Sequence, residues 1–293
     1  MATLTGTQDA DVFDNYGDNY LVVTNDGDTI FGLGGNDYVG AGTGGDHIFG
    51  GEGNDELYSG SGDDVVEGGN GNDRLVDGPG DDIENGGPGD DSIQQLGATD
   101  DDHDIGNGGP GNDSLYTSSE PFGVTLGTAI LHGDEGNDTI IMSLHGEAYG
   151  DDDDDQLWGW VYGTYFSGGA GNDRIAAHAG DDIISGGAGN DLIVAGTGAD
   201  RIDGDGGNDV IYTYGTQYRQ LVDPFGFKEG LDAFDNPNRP DIPHPAGDLS
   251  IDIAHGGEGN DTIHAGLGDQ IYGDNGDDNI YLDLFFVPAR PRP

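Results

Sequence analysis

The sequence predicts an all-β fold, a parallel β-roll of stacked short coils. Two observations predict it: a nine-residue period, and the kind of residue at each place in that period. Gly168 to Tyr212 reads GGAGNDRIA, AHAGDDIIS, GGAGNDLIV, AGTGADRID, GDGGNDVIY, five nonapeptides with nothing between them. In each the sixth residue is aspartate (Asp173, Asp182, Asp191, Asp200, Asp209), and in each the eighth is isoleucine (Ile175, Ile184, Ile193, Ile202, Ile211). A fixed short period means one supersecondary unit used repeatedly. The three residues around the isoleucine suit a short strand with one side chain turned inward. The other six are turn residues, where glycine, asparagine and aspartate supply positive φ cheaply. The helical period is absent.

Taken in order, the pattern begins faintly, with Asp11 sixth and Phe13 eighth in a first unit, and 15–22 is a degenerate one. A long array follows from Val23 to Gln94, with Asp28, Asp37, Asp46, Asp55, Asp64, Asp73, Asp82 and Asp91 nine apart. The eighth positions are Ile30, Val39, Ile48, Leu57, Val66, Leu75, Glu84 and Ile93. Glu84 is the exception, in the unit DGPGDDIEN, and a local slip there would turn Ile83 inward in its place. Asp104 sits in a weak unit and Asp113 in a clean one. Thr117 to His132 is an insertion, Asp138 marks a further unit, and Met142 to Tyr149 is a break. The run Asp151 to Asp155 is in frame only at Asp155. The next nine residues, GWVYGTYFS, keep the length without an aspartate and are expected to form a full coil that binds no cation. After the five units, 213–255 is an insertion rich in proline and aromatics, read as a long loop or flap. Asp261 and Asp278 then close the array. These divisions give three expected regions: a repeat block over 1–94, interrupted repeats over 95–167, and a second block over 168–293 with a short C-terminal cap formed by 282–287.

Charge constrains the chain as strongly as the period does. There are 58 acidic against 8 basic residues and a formal charge of -50. A compact chain so charged repels itself and stays disordered unless cations neutralise it. Nucleic acid, itself negative, is excluded as a partner of the bare protein. With no cysteine there is neither disulfide nor thiolate metal site. No apolar run is long enough for a membrane-spanning helix. The start, MATLTGTQDADVF, has neither the basic nor the apolar region of a cleaved secretory signal.

The motif G-G-x-G-N/D-D-x-aliphatic-x resembles the haemolysin-type calcium-binding nonapeptide of the RTX (repeats-in-toxin) family. That resemblance implies a right-handed parallel β-roll in which two nonapeptides make one coil. It also implies Ca²⁺ held between turns two units apart, pairing Asp173 with Asp191 and Asp182 with Asp200. The chemistry agrees, because oxygen donors with net negative charge and no nitrogen or sulfur favour Ca²⁺ over zinc, copper or Mg²⁺. The expected ligands are the sixth-position aspartates named above from Asp28 onward, with roughly fifteen to twenty ions in all. One aliphatic per nine residues buries too little apolar area to hold the fold against backbone entropy, so folding is expected to be coupled to calcium.

The resemblance further implies a secreted, extracellular or cell-surface protein exported by a bacterial type I route, although the stretch after Asp278 carries no clearly recognisable form of the export signal. No H-E-x-x-H and no G-x-S-x-G occurs, so no enzyme activity is expected. The preferred function is a calcium-dependent structural protein of a surface layer, matrix or filament, forming homo-oligomers through end or side contacts. The alternatives are an adhesin or module binding cell-surface polysaccharide, or a small secreted effector acting on host membranes. The aromatics Trp158, Trp160, Tyr162, Tyr165 and Phe166 are either packing or a sugar-binding or subunit-contact patch. The scattered histidines, His47, His178 and His264 among them, are expected on the surface.

Overall fold

The computed structural model describes residues 3–7, 11–13, 24–96, 102–118, 127–143, 145–160, 163–214 and 251–282. They form a parallel β-solenoid of two 13-stranded sheets. Strands alternate between the sheets along the chain. The first sheet runs from Thr3–Thr5 to Gln270–Tyr272 and the second from Val12–Phe13 to Asn279–Leu282. In the regular stretches each strand pairs with the one eighteen residues on, as in Ile48↔Val66 and Ile175↔Ile193. Two nonapeptides therefore make one coil, and each backbone hydrogen-bonds to the coil above and below. No helix occurs among the described residues.

The core is the seam between the sheets. Val39, Leu57, Leu75, Ile93, Leu115, Ile140, Leu157, Ile175, Ile193, Ile211 and Ile263 line up on the second sheet, every one fully buried. The facing file on the first sheet is less uniform: Ile30, Ile48, Val66, Glu84, Gly106, Leu131, Ala148, Phe166, Ile184, Ile202 and Ala254. Volume is balanced across the seam. Buried Phe166 faces Gly159, where a Cβ would lie 2.9 Å from the ring.

Strand pairing corrects several local expectations. Ile83 does not slip inward. It stays 38% exposed, and Glu84 points into the core at 0% exposure. The ladder Val66↔Glu84↔Gly106 holds the register, and a one-residue slip would invert every side chain of the strand. The insertion at 117–132 is smaller than the motif suggests, because Ser114–Ser118 and Thr128–Glu135 are both strands. The break at 142–149 is largely the strand His145–Asp152. The insertion at 213–255 is also narrower. Thr213 N–H donates to His264 O at 3.0 Å, and Ile253–His255 pairs with the first-sheet strand Arg201–Gly206. Most of it, 215–250, lies outside the described residues, as does the expected cap at 283–287. The aspartate-free segment GWVYGTYFS is half a coil, not a whole one, because it connects strand Gln156–Gly159 to strand Tyr165–Ala170 across one turn. Strand order continues unbroken through 95–167.

Adjacent isoleucines report the two faces of the sheet. Ile184 is in the seam at 1% exposure, and Ile183 lies outside at 50%. In urea denaturation at saturating calcium, Ile184→Ala is expected to cost about 2–5 kcal/mol. Ile183→Ala is expected to cost under about 1 kcal/mol.

Candidate metal centre

Each coil has two turns, and the sixth-position aspartates stack in two rows, one along each edge of the solenoid. The row on the turns entering the second sheet is continuous. Each member's N–H donates to Oδ1 of the aspartate one coil on, from Asp11 through Asp37, Asp55, Asp73, Asp91, Asp113, Asp138, Asp155, Asp173, Asp191, Asp209 and Asp261 to Asp278, at 2.6–3.0 Å. The opposite row is interrupted. Asp28, Asp46, Asp64, Asp82 and Asp104 follow one another. Strand register then puts Ala129, Gly146 and Thr164 in the aspartate column. Thr164 N–H donates to Asp182 Oδ1 at 2.7 Å, and the row resumes through Asp200, Asp252 and Asp269.

Of the aspartates expected from the motif, all are buried except Asp278, which lies half-exposed in the last described turn. The pairs Asp173–Asp191 and Asp182–Asp200 are adjacent in their rows. Within Asp151 to Asp155 only Asp155 is buried. Sequence reasoning missed two row members, Asp252 and Asp269. Both carry the signal D-x-aliphatic (or D-x-Ala at 252–254), but one falls inside the assigned insertion and the other in an eight-residue unit.

The second carboxylate oxygen carries the chemistry. Along the continuous row from Asp37 to Asp261, Oδ2 of every aspartate is buried and takes no hydrogen bond. A buried carboxylate oxygen in that state is strongly unfavourable without a cation or proton. Each Oδ2 converges with a glycine carbonyl of the next coil. At Gly186 an added Cβ would meet Asp191 Oδ2 at 2.5 Å and Gly204 O at 2.8 Å, so only glycine leaves that space open. Farther out, Gly189 takes φ +145°, which any side chain would strain. Carboxylate and carbonyl oxygens around such a space are the donor set of Ca²⁺. The residues present fit calcium, and the row aspartates with the first-position glycine carbonyls would hold it.

A second ladder runs along the rim of the same turns in the reverse sense. Asn54, Asn72, Asn190 and Asn208 each donate a backbone N–H to the Oδ1 of the asparagine one coil back, at 2.9–3.1 Å. The two ladders fix the spacing of successive turns from both sides.

The aromatic segment does not form one patch. Phe166 is in the core, Trp160 stacks on His178, and Tyr165 packs on Tyr149 on the outer face of the first sheet. Trp158 packs beside Ala176 and Val194 on the second sheet. Tyr162 lies outside the described residues.

The family model of the RTX calcium-binding nonapeptide repeat matches residues 13–46, 40–75, 58–93, 125–141, 164–193, 186–215 and 247–280, more than half of the chain. The chain belongs to the RTX calcium-binding repeat family. Among solved structures, this RTX chain resembles a hyperactive, Ca²⁺-dependent, β-helical antifreeze protein from an Antarctic bacterium, with TM-score 0.59 and 19% identity over 98% of this chain and 85% of that one. That likeness is one of fold. No curated protein matches the chain. The protein is thus a calcium-binding RTX β-roll.

Burial holds the row carboxyls above their ordinary range, with the neighbouring carboxylates adding to the effect in many of them. Asp155 and Asp113 are pushed up to about 8, Asp173, Asp182 and Asp209 to about 7, and Asp138 and Asp191 to about 6. A carboxyl whose folded pKa is raised stabilises the fold fully below its unfolded pKa, near 4, and loses that contribution as pH rises through the folded value. Without calcium the roll is therefore expected to gain β structure as pH falls from 8 toward 4, protons taking the cations' place. Circular dichroism in chelator across that range checks this; a calcium-free chain with no more β structure at pH 4 than at pH 8 contradicts it.

Proposed function

We propose that the protein is a secreted structural RTX protein, unfolded where free calcium is low and folded where it is high, whose rolls assemble into a surface layer, matrix or filament. The single observation that carries the reading is the double row of buried aspartates, which makes cations part of the framework over the whole length of the molecule. A row of fifteen to twenty ions, roughly, suits a load-bearing or space-filling body better than a sensor with one or two sites. The family typically exports such chains unfolded, and calcium then acts as the folding signal.

The end of the roll supports assembly. On the last strands of the two sheets, Tyr272, Ile280, Tyr281 and Leu282 are exposed, although Ile280 continues the core file and is buried in its equivalents. Among the described residues these edge strands have no further parallel partner, and such an edge with apolar side chains invites a second roll to stack head-to-tail, a heterologous contact that propagates. The reading is structural rather than catalytic. The Ca²⁺-dependent antifreeze protein of similar fold is another β-helical protein that depends on calcium. The adhesin reading rests on the aromatic segment, whose described residues are divided among the core and the outer faces, and on the insertion at 213–255, most of which lies outside the described residues.

Negative-stain electron microscopy at high protein concentration tests the proposal. Filaments or sheets in millimolar Ca²⁺ that disperse in chelator are expected. Monodisperse single rolls under the same calcium contradict assembly.

A further inference from the structure

One nonapeptide departs from the motif twice. In Asp77 to Asn85, aspartate replaces the usual first-position residue and Glu84 replaces the eighth-position aliphatic. Both departures are acidic, and they come together inside the roll rather than at its edge. Glu84 projects from the first sheet into the seam. Asp77 follows the second-sheet strand Arg74–Val76, at an inward position occupied by Ala41, Ala177 and Ala195 in other coils, and is also buried. Asp82 reaches the same spot from the turn. One carboxylate oxygen from each of the three lies within 4.8 Å of the others.

The surroundings suit a cation. Gln95, one coil on from Asp77, donates its amide to Glu84 Oε2 at 3.1 Å and so orients the carboxylate. Gly106, next to Glu84 in the sheet, admits no side chain: a Cβ there would lie 2.9 Å from Leu131 Cδ2 and 3.3 Å from the Gln95 amide nitrogen. Glu84 Oε1 is buried and takes no hydrogen bond. The charged groups that act on Glu84 are Asp82, Asp104 and Asp64, all acidic. Three carboxylates so close repel one another strongly, and burial adds a desolvation penalty that only a cation or protons can offset. Each alone would be a costly defect in an aliphatic seam. Two in one repeat, facing one point with a third carboxylate, form a donor set.

We propose that Asp77, Asp82 and Glu84 bind a calcium ion inside the core, at a site that borrows Asp82 from the turn row and is otherwise absent from the repeat motif. All its side-chain donors are carboxylate oxygens, whose combined negative charge when ionised exceeds the positive charge of a divalent cation, and such a donor set favours a hard divalent cation. The ion would cross-link both sheets and a turn at the point where the aliphatic file of the first sheet is broken. Its exchange with solvent should be slower than that of the turn ions, because the sheets must open to release it.

Crystals of the full chain grown in CaCl₂ and measured at long wavelength test the proposal. An anomalous peak enclosed by Asp77, Asp82 and Glu84 is expected, together with peaks along the turns. Turn peaks with no interior peak overturn it and leave the turn sites standing. Glu84→Gln supplies a second reading, since glutamine has the shape of protonated glutamate. Native mass spectrometry should count one calcium fewer in that variant, and its melting temperature at saturating calcium should fall by several degrees. An unchanged count and melting temperature would mean that Glu84 is held neutral by a proton, which also overturns the proposal.

Discussion

A buried carboxylate with one oxygen satisfied and the other bare is the constraint on which the roll depends. Oδ1 is used within the protein: it accepts the backbone N–H of the preceding coil and sets the stacking distance. Oδ2 is left facing glycine carbonyls in a space that no side chain can fill. The two oxygens divide the work. One builds the solenoid from the chain alone, and the other makes the solenoid conditional on a cation. The hydrophobic seam, one or two side chains wide, closes the coils but is too thin to bear the charge beside it.

This division explains why the two edges differ. On the continuous edge every turn from Asp11 to Asp278 keeps its aspartate, whereas on the other edge Ala129, Gly146 and Thr164 interrupt the row. A coil missing one carboxylate is still tied to its neighbours by the other edge and by both sheets. Strand order is kept from Ser114–Ser118 to Thr128–Glu135 and onward through this stretch. The row also continues from Asp200 to a residue far along the chain, Asp200 N–H donating to Asp252 Oδ1 at 2.9 Å.

Much of this was legible in the sequence. The nine-residue period exposes the turns, the aliphatic file and most of the row aspartates, because each depends on a residue type at a fixed offset. What was not legible depends on the neighbouring coil. His145 to Asp152 has little local strand character, and only Ala148 and Gly150 face inward; its pairing with Thr128–Glu135 and Tyr165–Ala170 makes it a strand. Glu84 looked like a register slip, since burying an acid in an aliphatic file is costly in isolation. The ladder keeps it inward, and the reason becomes visible only when Asp77 and Asp82 are placed around it. Asp252 and Asp269 escaped notice because their units have the wrong length, although their place in the row is unambiguous once the coils are stacked.

The central claim is that cations are structural components without which the chain does not hold this fold at neutral pH. Far-UV circular dichroism during a calcium titration of chelator-treated protein tests it most directly. The account predicts a largely disordered spectrum without calcium and a cooperative conversion to a β spectrum by millimolar Ca²⁺. A β spectrum that is already complete in chelator at pH 7 and does not change as calcium is added would contradict it.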